Sequence, residues 1–466
     1  MTHCFHPSLL REYDMRGIFG DTLGAADGYA LGRSFAAVVR KQGGSRVALG
    51  HDGRLSSPLL EAEVVRGLAD GGVDVLRIGL GPTPMLYYAE AVLDVDGGIQ
   101  VTGSHNPPDH NGFKLVLGHQ PFFGADIARL GEIAAAGDWT TGDGRVETVD
   151  IMDRYVARLV ERFDGPACRI GWDAGSGVAG PVVEKLVKLL PGEHHTLFTQ
   201  VDGNFPHHHP DPTIEKNLEH LRALVLSNKL DFGVAFDGDG DRIGVIDGMG
   251  RPIWGDQLLG LFAEVVLRKM PGATIVADVK ASQALFDRVA QLGGRPLMWK
   301  TGHSLIKSKM KDIGSPLGGE MTGHIFFADD YYGFDDGLYA AVRLIRALAT
   351  LDSSVTALRD AMPVLLTTPE LRFPVEEARK FAIVTRILDR LRMAGAEVNE
   401  TDGARVTTPD GWWLLRASNT QAELVARVES HDQAGLDRLM NQLDSQLAES
   451  GVLPAIGSTE PPRTGK

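Results

Sequence analysis

The sequence predicts an α/β protein: three related βαβ-containing, mixed-sheet domains followed by a C-terminal α+β domain. Three observations predict it. The chain has 466 residues, too many for one ordinary core and enough for about three or four domains. One order recurs three times: a strand, an Asp-bearing turn, a helix opened by small residues, a glycine stop and a second strand. After residue 365 the order changes to strands joined by short turns with helices beside them.

The elements follow in chain order. Residues 10–17, with Tyr13, Asp14 and Arg16 before Gly17, read either as a segment that ties down the N-terminus or as one that lines a site. A helix is expected over 25–42. The first βαβ copy has a strand at 45–50, the turn His51-Asp52-Gly53-Arg54, a helix opened by Ser57-Pro58 and running through Leu68, and a strand at 73–78. The second has a strand at 169–172, Asp173-Ala174-Gly175-Ser176-Gly177, a helix over 180–190 and a strand near 196–199. The third runs from 274–277 through Asp278-Val279-Lys280-Ala281-Ser282 and a helix to Leu292, ending in a strand at 296–299. A linking helix over 154–163 and losses of periodicity near 250 and 362–368 set the boundaries at 1–150, 151–250, 251–364 and 365–453. The last domain should hold helices over 375–394 and 434–448 with strands at 404–407, 412–416 and 423–428. The tail, 454–466, is rich in Pro, Gly, Ser and Thr and is expected to be disordered.

Composition excludes several classes. No run of ~18 apolar residues could span a bilayer, and the N-terminus lacks the basic and apolar regions of a secretory signal. Two cysteines, Cys4 and Cys168, make no disulfide framework and fit a reducing cytoplasm. A net charge of −14 argues against a nucleic-acid partner, so an anionic substrate must be met by local positive groups.

Five stretches carry chemistry. In Thr102-Gly103-Ser104-His105-Asn106-Pro107 a strand end gives way to turn formers that lift out Ser104, a candidate nucleophile or phosphate carrier, with Lys114 following. In Asp237-Gly238-Asp239-Gly240-Asp241-Arg242 two apolar runs bracket three carboxylates at alternate positions, which the interleaved glycines let converge on a hard divalent cation such as Mg²⁺. An EF-hand is excluded, because its sixth and twelfth loop positions would be Arg242 and Gly248. His303, in Lys300-Thr301-Gly302-His303, stands just beyond a strand, where an imidazole can serve acid–base chemistry. Gly319-Glu320-Met321-Thr322-Gly323-His324 offers a carboxylate, a hydroxyl and an imidazole, a set suited to sugar hydroxyls. Arg416-Ala417-Ser418-Asn419-Thr420, with Arg427 beyond, is an anion cradle. The cradle and Ser104 lie far apart in sequence, so a site needing both requires a cleft shared by all the domains.

In these loops, in their order and spacing, the chain resembles the α-D-phosphohexomutases over nearly all but the tail, most of all the bacterial phosphomannomutase/phosphoglucomutase branch. The resemblance implies four domains around a central cleft, with Ser104 as the phosphoserine. It implies that Asp237, Asp239 and Asp241, with the Ser104 phosphate, bind Mg²⁺. Glu320, Thr322 and His324 would contact the sugar, and Arg416, Ser418, Asn419 and Thr420 would hold the phosphate not being transferred. Lys114, Arg242 and His303 would line the reaction centre, with Tyr13, Arg16 and Lys280 as further contacts. Two departures from the family pattern are Met15 in place of Ile and Thr322 in place of Ser.

Residues and resemblance together imply interconversion of hexose 1-phosphates and hexose 6-phosphates, of mannose or glucose, through a 1,6-bisphosphate that is both intermediate and activator. Lys114 or His303 would move the proton. The partners expected are small hexose phosphates, with neither nucleic acid nor membrane, and the chain acting as a monomer. Two alternatives are an aspartyl phosphatase or phosphotransferase, in which Asp237 carries the phosphate, and a non-enzymatic sugar-phosphate sensor. The first leaves the Ser104 and Glu320 loops without a use, and the second would be expected to have lost the serine or an aspartate.

Overall fold

The computed structural model describes residues 2–419, 421–452 and 463–464. Its first sheet runs in the order Met15–Ile18, His110–Leu117, Gly97–Val101, Arg46–His51, Asp74–Leu80 and Val146–Thr148. The last four strands are mutually parallel, and His110–Leu117 turns antiparallel. Segment 10–17, read above as a tether or a site lining, contributes a strand of its own: Met15–Ile18 pairs with His110–Leu117, Arg16 opposite Gly112. That pairing holds Tyr13 and Arg16 at the edge from which the Ser104 loop departs.

The helix Ser57–Asp70 begins at Ser57-Pro58, where proline costs no hydrogen bond, and stops at the glycine pair 71–72. It packs on the helix Ala25–Lys41. The second sheet has the order Pro252–Ile253, Ile243–Asp247, Phe232–Phe236, Cys168–Asp173 and Gly192–Leu197. Phe232–Phe236 and Ile243–Asp247 form a hairpin with Phe236 opposite Ile243, so residues 237–242 are its loop. The third sheet runs Arg295–Trp299, Thr274–Asp278, Leu317–Gly319 and Ile325–Phe327. In all three, parallel βαβ pairs are extended by an antiparallel strand, and the chemical loops leave from the carboxyl ends of the parallel strands or from the adjoining hairpins.

Some elements differ from expectation. The second copy's helix ends at Leu186 and its outer strand is Gly192–Leu197, displaced toward the N-terminus from 196–199. The helix expected from 375 is Lys380–Met393, because Leu371–Pro374 is spent as a strand against Glu423–Ser430. The fourth sheet is antiparallel throughout, with Glu397–Asn399, Ala404–Thr408, Gly411–Ala417 and Glu423–Ser430 in succession. The tail expected to be disordered lies outside the described residues, apart from Arg463–Thr464, which pairs with Leu366–Thr367.

The second and third sheets share one core with the helix Thr83–Val92 and part of the first sheet, through residues such as Leu86, Trp172, Phe262 and Tyr339. The fourth sheet has a core of its own, with Trp413, Leu415, Val428 and Leu439 among its members. Its apolar contact with the third unit is a small seam of Val279, Trp412 and Leu414. No helix among the described residues is long and apolar enough to cross a membrane.

Candidate active site

Ser104 sits three residues beyond the Gly97–Val101 strand, at φ +51°. It is buried, and its Oγ lies 3.2 Å from Asp237 Oδ2 and 3.2 Å from His105 Nδ1. Asp237, Asp239 and Asp241 are fully buried, with one oxygen of each within 4.8 Å of the others. The metal loop can close this tightly on the serine loop only with glycine at 238, where a Cβ would stand 2.5 Å from Ser104 O.

Lys114 Nζ bridges the carboxylates, 2.7 Å from Asp239 Oδ2 and 2.5 Å from Asp241 Oδ2, and Thr83 Oγ1 donates to Asp239 Oδ2 at 2.5 Å. Burial would raise Asp239, but the ammonium wins there and holds it low. Asp237 stands well above the usual carboxylate range, through burial and then through the charges of Asp239 and Asp241. Asp239 Oδ1 and Asp241 Oδ1 are buried and accept no hydrogen bond. Three converging carboxylates that leave two buried oxygens without a hydrogen bond are what a small divalent cation requires, so the donor set fits Mg²⁺.

Beside the carboxylates the second and third units meet. Arg242 and His324 form a bridge between their backbones, and Arg242 Nε donates to His324 Nε2 at 2.9 Å. His324 Nδ1 lies 2.9 Å from Asp335 Oδ2, and the His303 ring stacks on that of His324 at 5.5 Å. Burial and then the neighbouring Lys307 depress His303 well below its ordinary value, so its imidazole is neutral at pH 7. Asp335 is held in turn by Lys307 Nζ at 2.8 Å.

The cleft's far end draws on the first, third and fourth units. Tyr13 OH donates to Thr301 O at 2.7 Å and accepts from Asn419 Nδ2. Arg416 Nε donates to Asp402 Oδ2 at 2.9 Å, and Asp402 also receives Thr301 N at 3.0 Å. Ser418 Oγ accepts from Gln421 N at 3.1 Å, closing the turn of the cradle. Glu320 Oε1 takes Gly302 N at 2.6 Å, and Oε2 takes Thr322 Oγ1 at 3.0 Å. Lys280 Nζ lies 3.0 Å from Glu370 Oε1; against burial, the charges of Lys280 and Arg372 hold Glu370 down at about 2. Arg16 Nη1 donates to Asn106 Oδ1 at 3.1 Å and so joins this end to the serine loop.

Thus Ser104, Lys114, Asp237, Asp239, Asp241, Arg242, His303 and His324 gather at one end. Tyr13, Lys280, Glu320, Thr322, Arg416, Ser418 and Asn419 line the rest; Thr420 lies outside the described residues. Arg427 does not belong to the cradle, contrary to expectation. It shares a sheet face with Arg416 but stands opposite Leu414, further from the turn of the cradle, so that Nη1 meets Lys280 O of the third unit and lies 3.5 Å from Asp256. Sequence reasoning missed Thr83, Asp335, Lys307 and Asp402. The one available signal was the acidic pair Asp335-Asp336 opening an apolar helix, which reads first as a cap; Asp336 does cap it, accepting from Tyr339 N at 2.9 Å.

Four family profiles described as phosphoglucomutase/phosphomannomutase match the chain: alpha/beta/alpha domains I, II and III over 7–139, 153–250 and 254–365, and the C-terminal domain over 370–446. The chain is 45% identical over 441 residues to a phosphomannomutase/phosphoglucomutase of Pseudomonas putida, covering 94% of this chain and 95% of that one. It is 43% identical over 446 residues to a phosphoglucomutase of Neisseria gonorrhoeae, covering 94% and 96%. A crystal structure of a phosphoglucomutase/phosphomannomutase family protein from Burkholderia thailandensis superposes with a TM-score of 0.92 at 42% identity, over 97% of this chain and all of that one.

Proposed function

The chain belongs to the phosphoglucomutase/phosphomannomutase family, and we propose that it interconverts the 1- and 6-phosphates of glucose and of mannose through phosphorylated Ser104. The observation that carries the reading is the convergence of Ser104 Oγ, three buried carboxylates and the Lys114 ammonium, with the Arg416 cradle at the other end of the same cleft.

In this reading the substrate's phosphate rests in the cradle of Arg416, Ser418 and Asn419, while Glu320 and Thr322 hold ring hydroxyls. The free hydroxyl, at C6 or C1, attacks the phosphorus on Ser104. Its proton passes to the neutral His303, the P–Oγ bond breaks, and that proton is handed on to Ser104 Oγ. The 1,6-bisphosphate turns in the cleft, and the mirror-image transfer returns its other phosphoryl group to Ser104. Lys114, clamped between two carboxylates, supplies charge and not a base. Mg²⁺ held by Asp237, Asp239, Asp241 and the Ser104 phosphate would neutralise the phosphoryl oxygens.

The C3 and C4 hydroxyls are equatorial in both glucose and mannose, and a carboxylate bridging them is blind to the C2 epimer. A site that must accept the ring in two flipped orientations also supports few contacts specific to one substituent. Both 1-phosphates should therefore be converted with kcat/KM within about tenfold of each other, or ~1.4 kcal/mol. N-acetylglucosamine phosphates, with a bulky C2 amide, should be poorer. The test is turnover of all three with Mg²⁺ and bisphosphate activator, together with intact-mass analysis and site mapping. One added phosphoryl on Ser104 is expected. Phosphate on Asp237, or a preference between epimers above ~10³-fold, would overturn the assignment.

A further inference from the structure

Arg54 lies outside the five chemical stretches, yet its side chain is wholly buried beneath the serine loop. All of its bonding goes to that loop and to Asp52. Nη2 donates to Ser104 O at 2.7 Å and to Asn106 O at 2.6 Å; Nη1 donates to His110 O at 2.9 Å and to Pro107 O; Nε donates to Asp52 Oδ2 at 3.2 Å. Asp52 completes the frame. Its Oδ2 receives Thr102 Oγ1 at 2.8 Å and Gly103 N at 3.0 Å, and its Oδ1 receives Ser57 Oγ at 2.5 Å and Arg54 N at 3.0 Å.

We propose that Arg54, braced by Asp52, is the positioning residue that fixes the phosphoryl-carrying loop, so that Ser104 stays in line with the substrate hydroxyl through both half-reactions. The proposal rests on the reading of Ser104 given above. Four carbonyls of one short non-helical loop converge on a single guanidinium, the buried Ser104 O among them, while Pro107 O also accepts from His110 N at 3.0 Å. The bond to Ser104 O fixes the plane of the 104–105 peptide and turns the His105 N–H to the opposite side of that peptide. Ser104 itself holds a left-handed backbone, φ +51°, which persists only where its surroundings over-determine it. The fit leaves no slack, since a Cβ on Gly103 would stand 2.4 Å from Arg54 Nε.

A lysine at 54 keeps a charge but cannot reach four carbonyls and a carboxylate in one plane. In Arg54→Lys, kcat should fall ~10²-fold or more in both directions, the cost of about an ångström of misplacement. KM should change less than ~3-fold, because the sugar phosphate is held by the third and fourth units. Hydrogen exchange at Gly103, Ser104 and Asn106 should be slow in the unaltered protein and faster in the variant. Ser57→Ala, which removes one bond to Asp52, should give the same split at smaller size and keeps the test open if Arg54→Lys does not fold. A folded Arg54→Lys with kcat within ~3-fold of wild type would overturn the proposal. So would a loss confined to KM, serine-loop amides in the unaltered protein exchanging as fast as an open loop, or Ser57→Ala unchanged in both exchange and kcat. If the unaltered protein showed no mutase turnover, the reaction assignment would fail, while the exchange measurements would still decide what Arg54 does to the loop.

Discussion

Replacing Lys114 by methionine should make the protein bind Mg²⁺ more tightly while it works worse. The ammonium sits 2.7 and 2.5 Å from oxygens of Asp239 and Asp241, the carboxylates that a cation would share. A Mg²⁺ about 2.1 Å from those carboxylates would lie roughly 4–5 Å from Nζ. Charges of one and two at that separation repel by about 2 kcal/mol even at the dielectric constant of water. Losing that repulsion is worth roughly 20- to 30-fold in affinity. In the metal-free protein the change has the opposite sign, because buried carboxylates lose their counter-charge at a cost of about 3–5 kcal/mol. Titration calorimetry of chelator-treated protein reads the first effect, and scanning calorimetry with and without Mg²⁺ reads the second. The variant should melt earlier without metal and gain more from Mg²⁺ than wild type, with kcat reduced because a charge on the phosphoryl group is gone. Unchanged or weaker Mg²⁺ affinity would refute the reasoning, since it would mean that Lys114 and the cation do not share these carboxylates.

Three further outcomes are expected. Ser104→Ala should lower bisphosphate-dependent turnover at least ~10³-fold in steady-state assays, since no neighbouring hydroxyl can hold the phosphoryl in line. Arg416→Lys should lose the planar fork and its lock on Asp402, raising KM and lowering kcat in both reaction directions; wild-type kinetics would remove Arg416 from the site. Burial pushes Asp336 up to about 7, against the donors Tyr155, Tyr331 and Tyr339 N. The folded protein thus keeps a proton that the unfolded chain releases near pH 4, and stability is full below that pH and declines as pH rises through 7. The decline is at most ~4 kcal/mol, and denaturant melts of Asp336→Asn from pH 4 to 8 should lose that slope.

Much of this was legible in the chain because its signals are local. The βαβ copies announce themselves by an Asp at a strand end, small residues opening a helix and a glycine stop closing it. The hairpin around Asp237, Asp239 and Asp241 is readable because both flanking strands are apolar and the loop between them is only glycine, carboxylate and arginine. What was not legible depends on which distant segments meet. Met15–Ile18 has too few residues to show strand alternation and becomes a strand only because His110–Leu117 offers an edge. Thr83 looks like an ordinary helix start until the second unit sets Asp239 against it. Arg427 has the right residue type for an anion cradle, and only its register, opposite Leu414 and away from the turn, takes it to Lys280 O instead. Arg54 was visible as part of a turn, but four of its bonds run to residues about 50 positions away.

The separateness of the fourth unit's core changes how the intermediate's fate should be viewed. Letting go of the distal phosphate requires parting polar contacts of Tyr13, Asn419, Asp402 and Lys280, the buried bonds of Arg405 and Arg427 to the third unit, and a seam around Trp412. It does not require exposing Trp413, Leu415 or Leu439, so the opening costs less than unfolding the fourth unit. Hinge movements of that kind take microseconds to milliseconds, well inside a typical turnover of about a tenth of a second. A bisphosphate loosened at one end therefore meets many reclosures before the next chemical step. Turning over and escaping become competing exits from one brief loosened state, and the small seam helps to set how that race divides.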